Sequence, residues 1–210
     1  MSYFVTGATG FIGRFLVDKL IARDGPIYVL VRKGSVKKLD ALRGRWGPEE
    51  KRVIAVVGDL AKPKLGLAAA DIAHLKGKVK HFFHLAAIYD LAADAASQGE
   101  ANVDGTRHAV ELCDAIGAGT FHHVSSIAAA GLYDGVFRED MFDEAEELDH
   151  PYFRTKHESE GIVRKESKAP YRIYRPGIVV GHSRTGEIDK IDGPYYFFKL
   201  IQKMRDALPQ

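Results

Sequence analysis

Two side chains that can exchange protons stand four residues apart in the second half of the chain. Tyr152 and Lys156 fall within Pro151–Glu166, whose pattern predicts a helix. Residues four apart share one helix face, so the ammonium can reach the phenol, favour the phenolate and lower its pKa. Tyr195 and Lys199 have the same spacing, but they follow the last predicted strand. We therefore take Tyr152 and Lys156 as the candidate proton-transferring pair.

A serine precedes this pair at the end of a predicted strand. The apolar run Phe121–Ser125 leads directly into Ser126. A hydroxyl in this place can donate a hydrogen bond to a substrate oxygen and hold it where negative charge develops. The sequence thus predicts a catalytic set of serine, tyrosine and lysine.

A glycine-rich segment follows the first predicted strand. It reads Thr6, Gly7, Ala8, Thr9, Gly10, Phe11, Ile12, Gly13. The first glycine permits a tight turn, the second lets backbone approach a pyrophosphate, and the third lets the following helix pack against the strand. Unpaired N–H groups at the start of that helix point at the anion. The segment predicts a dinucleotide site with these residues as contacts.

The end of the second predicted strand is basic where an NAD site usually carries an acidic residue. The residues Val31–Ser35 include no carboxylate. Arg32 offers a planar cationic fork suited to a 2′-phosphate, with Lys33, Lys37 and Arg43 nearby. The pattern predicts NADPH as the cofactor, with Lys156 also reaching its ribose. The alternative is that these are ordinary surface charges.

Short apolar runs that position these residues alternate with amphipathic stretches. The predicted strands are Tyr3–Thr6, Ile27–Val31, Val53–Val57, His81–His84, Phe121–Ser125 and Tyr171–Tyr174. The predicted helices are Phe11–Arg23, Val36–Trp46, Ala68–Leu75, Glu100–Ile116 and Pro151–Glu166. This alternation predicts an α/β fold, a doubly wound parallel sheet of Rossmann type with helices on both faces. The carboxyl ends of its strands meet at one edge, where ligands bind.

The composition sets limits on location and partners. Thirty Lys and Arg against 28 Asp and Glu give a net charge of +2, which argues against a nucleic-acid partner. The single Cys113 cannot form an intrachain disulfide, and the first residues do not resemble a signal peptide. No apolar run is long enough for a transmembrane span. We expect a cytoplasmic protein.

Four histidines on predicted strands form two pairs that could suggest a metal site. They are His81, His84, His122 and His123. No cysteine or carboxylate set stands at ligand spacing around them, so no metal is predicted. Packing and hydrogen bonding are the expected roles of these rings.

Together these motifs resemble the extended short-chain dehydrogenase/reductases along essentially the whole chain. Gly58–Leu60 is similar to that family's adenine-contacting turn, and the residues after His84 to its loop behind the fourth strand. The segment Asn102–Thr106 resembles its helix motif, and Tyr174–Gly177 the turn beside the nicotinamide. The resemblance implies a supporting catalytic role for Asn102. The cofactor contacts that it implies are Asp59, Leu60, Leu85, Ala86, Ala87, Pro176, Gly177 and Ile178.

Longer segments resemble the N-terminal reductase domain of bacterial fatty acyl-CoA reductases. They read VRKGSVKKLDALRGRW, HHVSSIAAAG, FREDMF, LDHPYFRTKHESE and IDGPYYFFK. This resemblance implies NADPH-dependent reduction of a fatty acyl-CoA thioester to an aldehyde and further to the alcohol. The implied partners are a long-chain acyl-CoA or fatty aldehyde and a second reductase domain in the full-length protein.

The resemblance also implies how the chain is divided. Residues 1–180 are expected to form the NADP-binding domain, and residues 181–210 the start of a substrate-binding region. Family members normally continue into further elements that complete the substrate pocket, so we expect the chain to be a fragment with an incomplete C-terminal part.

Other functions fit the same residues. Nucleotide-sugar epimerases or dehydratases and hydroxysteroid-type dehydrogenases use the same serine, tyrosine and lysine set, and the fold cannot separate them. A non-catalytic module that senses NADP(H) is an alternative of another class. The intact proton-transferring set argues against that module, because a sensor does not need a proton donor beside the nicotinamide.

Overall fold

The computed structural model describes residues 1–87, 99–188 and 193–207. Within them, six strands form one sheet: β1 (Tyr3–Thr6), β2 (Ile27–Val31), β3 (Val53–Val57), β4 (His81–His84), β5 (Thr120–Val124) and β6 (Tyr171–Tyr174). The strand order is β3-β2-β1-β4-β5-β6, and every neighbouring pair is parallel. The predicted doubly wound parallel sheet is confirmed.

The helices of the described residues follow the predicted alternation. They are α1 (Phe11–Ile21), α2 (Val36–Arg43), α3 (Ala69–Leu75), α4 (Gly105–Ile116), α5 (Pro151–Glu166) and α6 (Pro194–Ala207). Short 3₁₀ turns cover Lys33–Ser35, Gly47–Arg52, Pro63–Gly66 and Ile127–Ala130, and a π-helical turn, Gly99–Asp104, leads into α4.

One helix ends earlier than its pattern predicts. Helix α2 stops at Arg43 instead of continuing to Trp46. The Trp46 side chain turns inward, is 5% exposed, and donates its indole N–H to the Asp18 carboxylate of α1 at 2.8 Å. Packing of this ring against α1 decides where α2 ends, and helix periodicity carries no information about that contact.

The sheet separates two apolar clusters. In β1, Phe4 packs into one cluster, whereas Tyr3 and Val5 pack into the other, because successive side chains point to opposite faces. The first cluster includes residues of α3, α4 and α5, and the second includes residues of α1 and α2. A strand covered on both faces is apolar throughout, which is why these strands were readable as continuous runs.

The strand order reverses between β1 and β4. The chain builds outward from β1 to β3 and then crosses back to place β4 on the other side of β1. In open sheets of this kind the loops diverge at the reversal and leave a crevice outside the carboxyl ends of the strands. The glycine segment follows β1 and therefore lies at this crevice.

The chain divides into two compact units, Met1–Pro176 and Gly177–Gln210. The first holds the sheet and α1 to α5, and the second holds α6. In the second unit the backbone N–H of Gly181 donates to the Tyr195 hydroxyl at 2.8 Å. The assignment of residues 1–180 and 181–210 to two functional domains stays a prediction. None of the described helices has the length and apolarity to cross a membrane.

The predicted histidine pairs are part of the sheet's interior. Nδ1 of His81 lies 3.0 Å from Nε2 of His122, whose Nδ1 lies 2.9 Å from the Tyr174 hydroxyl. Burial lowers the pKa of His84 to about 3 and that of His122 to about 4, and lowers the pKa of His123 well below its usual value. Among the described residues no group of three or more metal-binding side chains occurs.

His123 differs from the others because neither ring nitrogen has a hydrogen-bond partner among the described residues. The ring is 3% exposed and stacks near His84, with ring centres 5.7 Å apart. Its pKa is depressed in the folded state, so the unfolded chain binds more protons as the pH falls below 6.5. This histidine therefore lowers stability progressively through that acid range.

We predict that His123→Leu leaves the free energy of unfolding at pH 7 unchanged or raised, because it removes a buried polar group that lacks partners. It should also lessen the acid loss of stability, by up to about 1.4 kcal/mol per pH unit below pH 6.5. Denaturant unfolding between neutral and mildly acidic pH measures both effects. The exposed change His74→Leu is the control, and an acid slope in His123→Leu equal to that of the wild type would contradict the prediction.

Candidate active site

The glycine loop brings two stretches of backbone together and leaves no room for side chains. Gly7 has a φ of +72°, and a Cβ there would lie 2.7 Å from the backbone nitrogen of Ala86. A Cβ at Gly13 would lie 2.1 Å from the Gly7 carbonyl oxygen, so α1 packs directly on the loop. Helix α1 begins after Gly10 with no side-chain cap and no acidic residue in its first turn. This cradle fits the pyrophosphate of a dinucleotide.

A cleft of about 540 Å³ opens beside the loop, at the carboxyl ends of β1 to β4. The predicted cofactor contacts that line it are Gly7, Thr9, Gly10, Arg32, Asp59, Leu60, Leu85, Ala86 and Ala87. The remaining lining residues are Leu30, Val31, Ser35, Lys38, Gly58 and Ala61. The structure thus brings together sequence motifs that follow four different strands.

The polar end of this cleft is formed by Arg32, Ser35 and Lys38. Two of these residues were missed in the sequence, where Lys33, Lys37 and Arg43 were chosen as companions of Arg32. Ser35 directly precedes α2 and Lys38 lies in its first turn, three residues further along. That spacing places both residues on one side of the helix start, and it was a usable signal once the helix start was known.

Arg43 lies outside the cleft. Its guanidinium pairs with the Asp40 carboxylate at 3.1 Å and donates to the Glu50 carbonyl at 3.1 Å. Lys33 is exposed and does not line the cleft either. The sequence placed both near Arg32 by number alone, whereas the 3₁₀ turn and α2 determine which side chains face the ligand.

Three further predicted contacts form the first turn of α1, next to the cleft-lining Gly10. They are Phe11, Ile12 and Gly13. Ile12 is 39% exposed, and Gly13 is buried against the loop. Because backbone N–H groups at this turn have no partner within the helix, a phosphate can use them regardless of side chain.

The hydroxyl of Thr6 joins the ends of β1 and β4. Its oxygen accepts the backbone N–H groups of Leu85 and Ala86, each at 3.2 Å, and lies 2.9 Å from Nδ1 of His84. Nε2 of His84 lies 3.2 Å from the hydroxyl of Thr106 on α4. Thr6 is fully buried and does not line the cleft, so it holds the β4 loop that does.

The backbone carbonyl of Asn102 extends this network to α5. It accepts hydrogen bonds from the hydroxyls of Thr106 and, at 2.5 Å, Ser159. Because Thr106 donates to Asn102, it accepts from Nε2–H of His84, and Nδ1 of His84 accepts from Thr6. His84 is therefore a neutral ring of one tautomer, consistent with its lowered pKa. Asn102 itself is 2% exposed in the π-helical turn before α4.

Tyr152 and Lys156 lie one turn apart on the buried face of α5, each 6% exposed. The Lys156 Nζ atom lies 6.0 Å from the centre of the Tyr152 ring. Burial lowers the pKa of Lys156 to about 8, so the ammonium form predominates at neutral pH. Helix α5 begins at Pro151, where the ring of His150 accepts the Tyr152 N–H at 3.2 Å. The cation is thus held beside the phenol.

Ser126 caps the 3₁₀ turn Ile127–Ala130 at the end of β5. Its Oγ accepts the N–H of Ala128 at 3.1 Å, so its hydroxyl hydrogen can point toward a ligand. His157 of α5 donates Nδ1–H to the Ala129 carbonyl at 3.0 Å. This bond fastens the serine turn to the helix that carries the tyrosine and lysine.

The turn predicted to contact the nicotinamide is divided between the two units. Pro176 ends the first unit, and its carbonyl accepts the N–H of Ile127, beside Ser126, at 3.2 Å. Gly177 and Ile178 belong to the second unit and are exposed. Contact of these three residues with a cofactor stays a prediction.

The first unit therefore combines two chemical capabilities at one edge of its sheet. The glycine cradle and cleft can hold a dinucleotide across the ends of β1 to β4, as open α/β sheets do. Ser126 follows β5, and Tyr152 and Lys156 lie on the next helix. A hydroxyl donor, a phenol and an ammonium are suited to proton transfer at a carbonyl or alcohol oxygen.

Comparison with known proteins identifies the family. The family model described as "Male sterility protein", an NAD-binding family, matches residues 5–208. A linear gramicidin synthase from Brevibacillus parabrevis is 35% identical over 204 residues, which are 90% of this chain and 4% of that protein. The chain thus spans a small part of this relative.

Solved structures give the same fold. The terminal R domain from the myxalamid PKS-NRPS biosynthetic pathway has a TM-score of 0.82 and 30% identity, and the match covers 97% of this chain and 55% of that one. UDP-glucuronic acid 4-epimerase from Bacillus cereus, in complex with NAD, has a TM-score of 0.69 and 24% identity over 100% of this chain and 65% of its own. The epimerase likeness shows the fold alone.

Proposed function

The chain belongs to the male sterility protein family of the extended short-chain dehydrogenase/reductases, and on this premise we propose that it uses NADPH to reduce a fatty acyl-CoA thioester to the aldehyde. It is an NAD(P)-dependent oxidoreductase domain by family. The observation that carries the proposal is the buried pair of Tyr152 and Lys156 on the helix fastened to the Ser126 turn.

The site residues would divide the chemistry between them. NADPH, when bound, supplies the hydride. Tyr152 protonates the oxygen of the reacting carbonyl, and the Ser126 hydroxyl orients that oxygen while negative charge develops on it. Lys156 stabilises the phenolate that remains and contacts the ribose. Its pKa of about 8 keeps the ammonium present at neutral pH, and proton transfer should weaken as the pH rises through that value.

The basic edge of the cleft supports NADPH over NADH. Arg32 and Lys38 place two cations, with the Ser35 hydroxyl between them in sequence, at the end of β2. A 2′-phosphate needs such donors, whereas a ribose 2′-hydroxyl is usually held by a carboxylate at this position. The cleft-lining Asp59 follows β3 instead, and its Oδ1 accepts the N–H of Ala61 at 3.1 Å.

The fatty acyl substrate is supported by the resemblance of five segments to bacterial fatty acyl-CoA reductases. An acyl thioester on a different thiol carrier is a second candidate, because the linear gramicidin synthase and the myxalamid R domain are both similar to this chain. The two candidates share thioester reduction and differ in what the thiol is attached to.

We predict that Arg32→Ala and Lys38→Ala each weaken NADPH binding by about tenfold to hundredfold, as expected for loss of a charged hydrogen bond, and leave NADH binding unchanged. Fluorescence titration with both cofactors measures the ratio. Arg43→Ala is the matched comparison, because its charge is paired with Asp40 outside the cleft. A change in Arg43→Ala equal to that in Arg32→Ala would contradict this placement of the 2′-phosphate.

We predict that Tyr152→Phe lowers turnover by about 100-fold or more, because the proton donor is lost, while NADPH binding is retained. The oxidation of NADPH by a long-chain acyl-CoA or a fatty aldehyde, followed by absorbance, measures turnover. Tyr195→Phe is the matched control, since Tyr195 has the same spacing to a lysine but lies in the second unit. Full activity of Tyr152→Phe would refute the assignment of the proton donor.

A further inference from the structure

A buried carboxylate stands on the same helix face as the proposed proton-transferring pair. Tyr152, Lys156 and Glu160 follow one another at four-residue intervals along α5, and all three are buried. Glu160 is 0% exposed, which is rare for a glutamate and is tolerated only where the charge is paired. The proposed chemistry does not use it.

Each oxygen of the Glu160 carboxylate is occupied. Arg175 grips it with a two-pronged contact, Nη2 to Oε1 at 2.5 Å and Nε to Oε2 at 3.0 Å. Arg164 donates to Oε1 at 2.9 Å, and the Ser125 hydroxyl donates to Oε2 at 3.0 Å. Burial raises the pKa of Glu160, but the two arginines and the serine more than offset this and hold it below its usual value. The group is an anion at neutral pH.

The Ser125 contact leads directly to the proposed oxygen-binding hydroxyl. Ser125 is the neighbour of Ser126 in the chain, and its backbone N–H donates to the Tyr174 carbonyl of β6 at 2.8 Å. On the other side of Ser126, the Ile127 N–H donates to the Pro176 carbonyl at 3.2 Å. Ser126 is thus held between two backbone bonds to the β6 end, and Glu160 ties that assembly to α5.

Arg175 carries the same tie further. Besides the carboxylate, its guanidinium donates to the carbonyl of Met141 at 2.7 Å and to that of Arg138 at 3.1 Å, and its charge lies 5.0 Å from the centre of the Phe137 ring. The segment before α5 is therefore fastened to the same ion pair. Fixed orientation of several segments is a property of a forked cation, which a single lysine ammonium would not supply.

We propose that Glu160 is a positioning residue, which through Ser125 and Arg175 sets the placement of Ser126 relative to Tyr152 and Lys156. The proposal rests on the function proposed above. One helix presents both the proton donor and the anchor, so the donor and the oxygen-binding hydroxyl are referenced to the same rigid element. Small errors in such placement are expensive in rate even where binding is intact.

Three variants separate positioning from folding. Glu160→Gln keeps the side-chain shape but turns an amide N–H₂ against the arginine fork. Ser125→Ala removes only the link to the serine segment and leaves both arginines paired with Glu160. Glu158→Gln is the matched control, because Glu158 is exposed on the same helix. The kcat and the KM for NADPH, corrected for the fraction of chains that bind NADPH, are measured for each variant.

We expect Glu160→Gln to lower kcat by about 100-fold with the KM for NADPH unchanged, and Ser125→Ala to lower kcat by a smaller factor. The double variant should lose no more than Glu160→Gln alone, since the serine acts through the carboxylate. Glu158→Gln should match the wild type. Wild-type kcat per folded chain in Glu160→Gln, or fully multiplicative effects in the double variant, would overturn the proposal.

Amide hydrogen exchange provides a readout that does not depend on turnover. Glu160→Gln should speed exchange at Ser125 and Ile127, whose N–H groups bind the β6 end, and leave the amides of β1 unaffected. If the wild type reduces neither thioester nor aldehyde, the proposed function fails, and this measurement still decides whether Glu160 fixes the serine segment. Unchanged exchange at both amides would overturn the positioning role.

Discussion

The close packing of the glycine loop on the β4 loop is the constraint on which the rest of the site depends. Gly7 lies where any side chain would collide with the Ala86 backbone, and Thr6 holds the same stretch through two backbone N–H groups. This contact sits at the reversal of strand order, so it shapes the wall shared by the two halves of the cleft. Without it, the loops after β1 and β4 would not form one surface for a dinucleotide.

From that contact a buried polar network runs to the catalytic helix. It passes from Thr6 through His84 and Thr106 to the Asn102 carbonyl, which Ser159 of α5 also binds. A buried network of this kind fixes one arrangement because every unpaired member would cost free energy. The cofactor loop and the helix bearing the proton donor are therefore connected through fixed hydrogen bonds.

Much of this could be predicted from the sequence, for reasons that differ by residue. The strands were readable because a sheet covered on both faces needs continuous apolar runs, and the glycine spacing is a local backbone requirement. The pairing of Glu160 with Arg175 could not be predicted, because it joins a helix to a strand end and neither residue follows a periodic pattern. Lys38 was missed and Arg43 chosen because the end of α2 depends on the packing of Trp46.

The central claim, that this site adds hydride to a carbonyl, is tested most directly by isotope transfer. The chain, and in parallel a longer natural version, is incubated with NADPH deuterated at the reacting carbon of the nicotinamide and a long-chain acyl-CoA. The claim predicts one deuterium on the former thioester carbon of the product for each NADPH oxidised. Product without deuterium, or bound cofactor with no net oxidation in either protein, would contradict it and favour the epimerase type of chemistry.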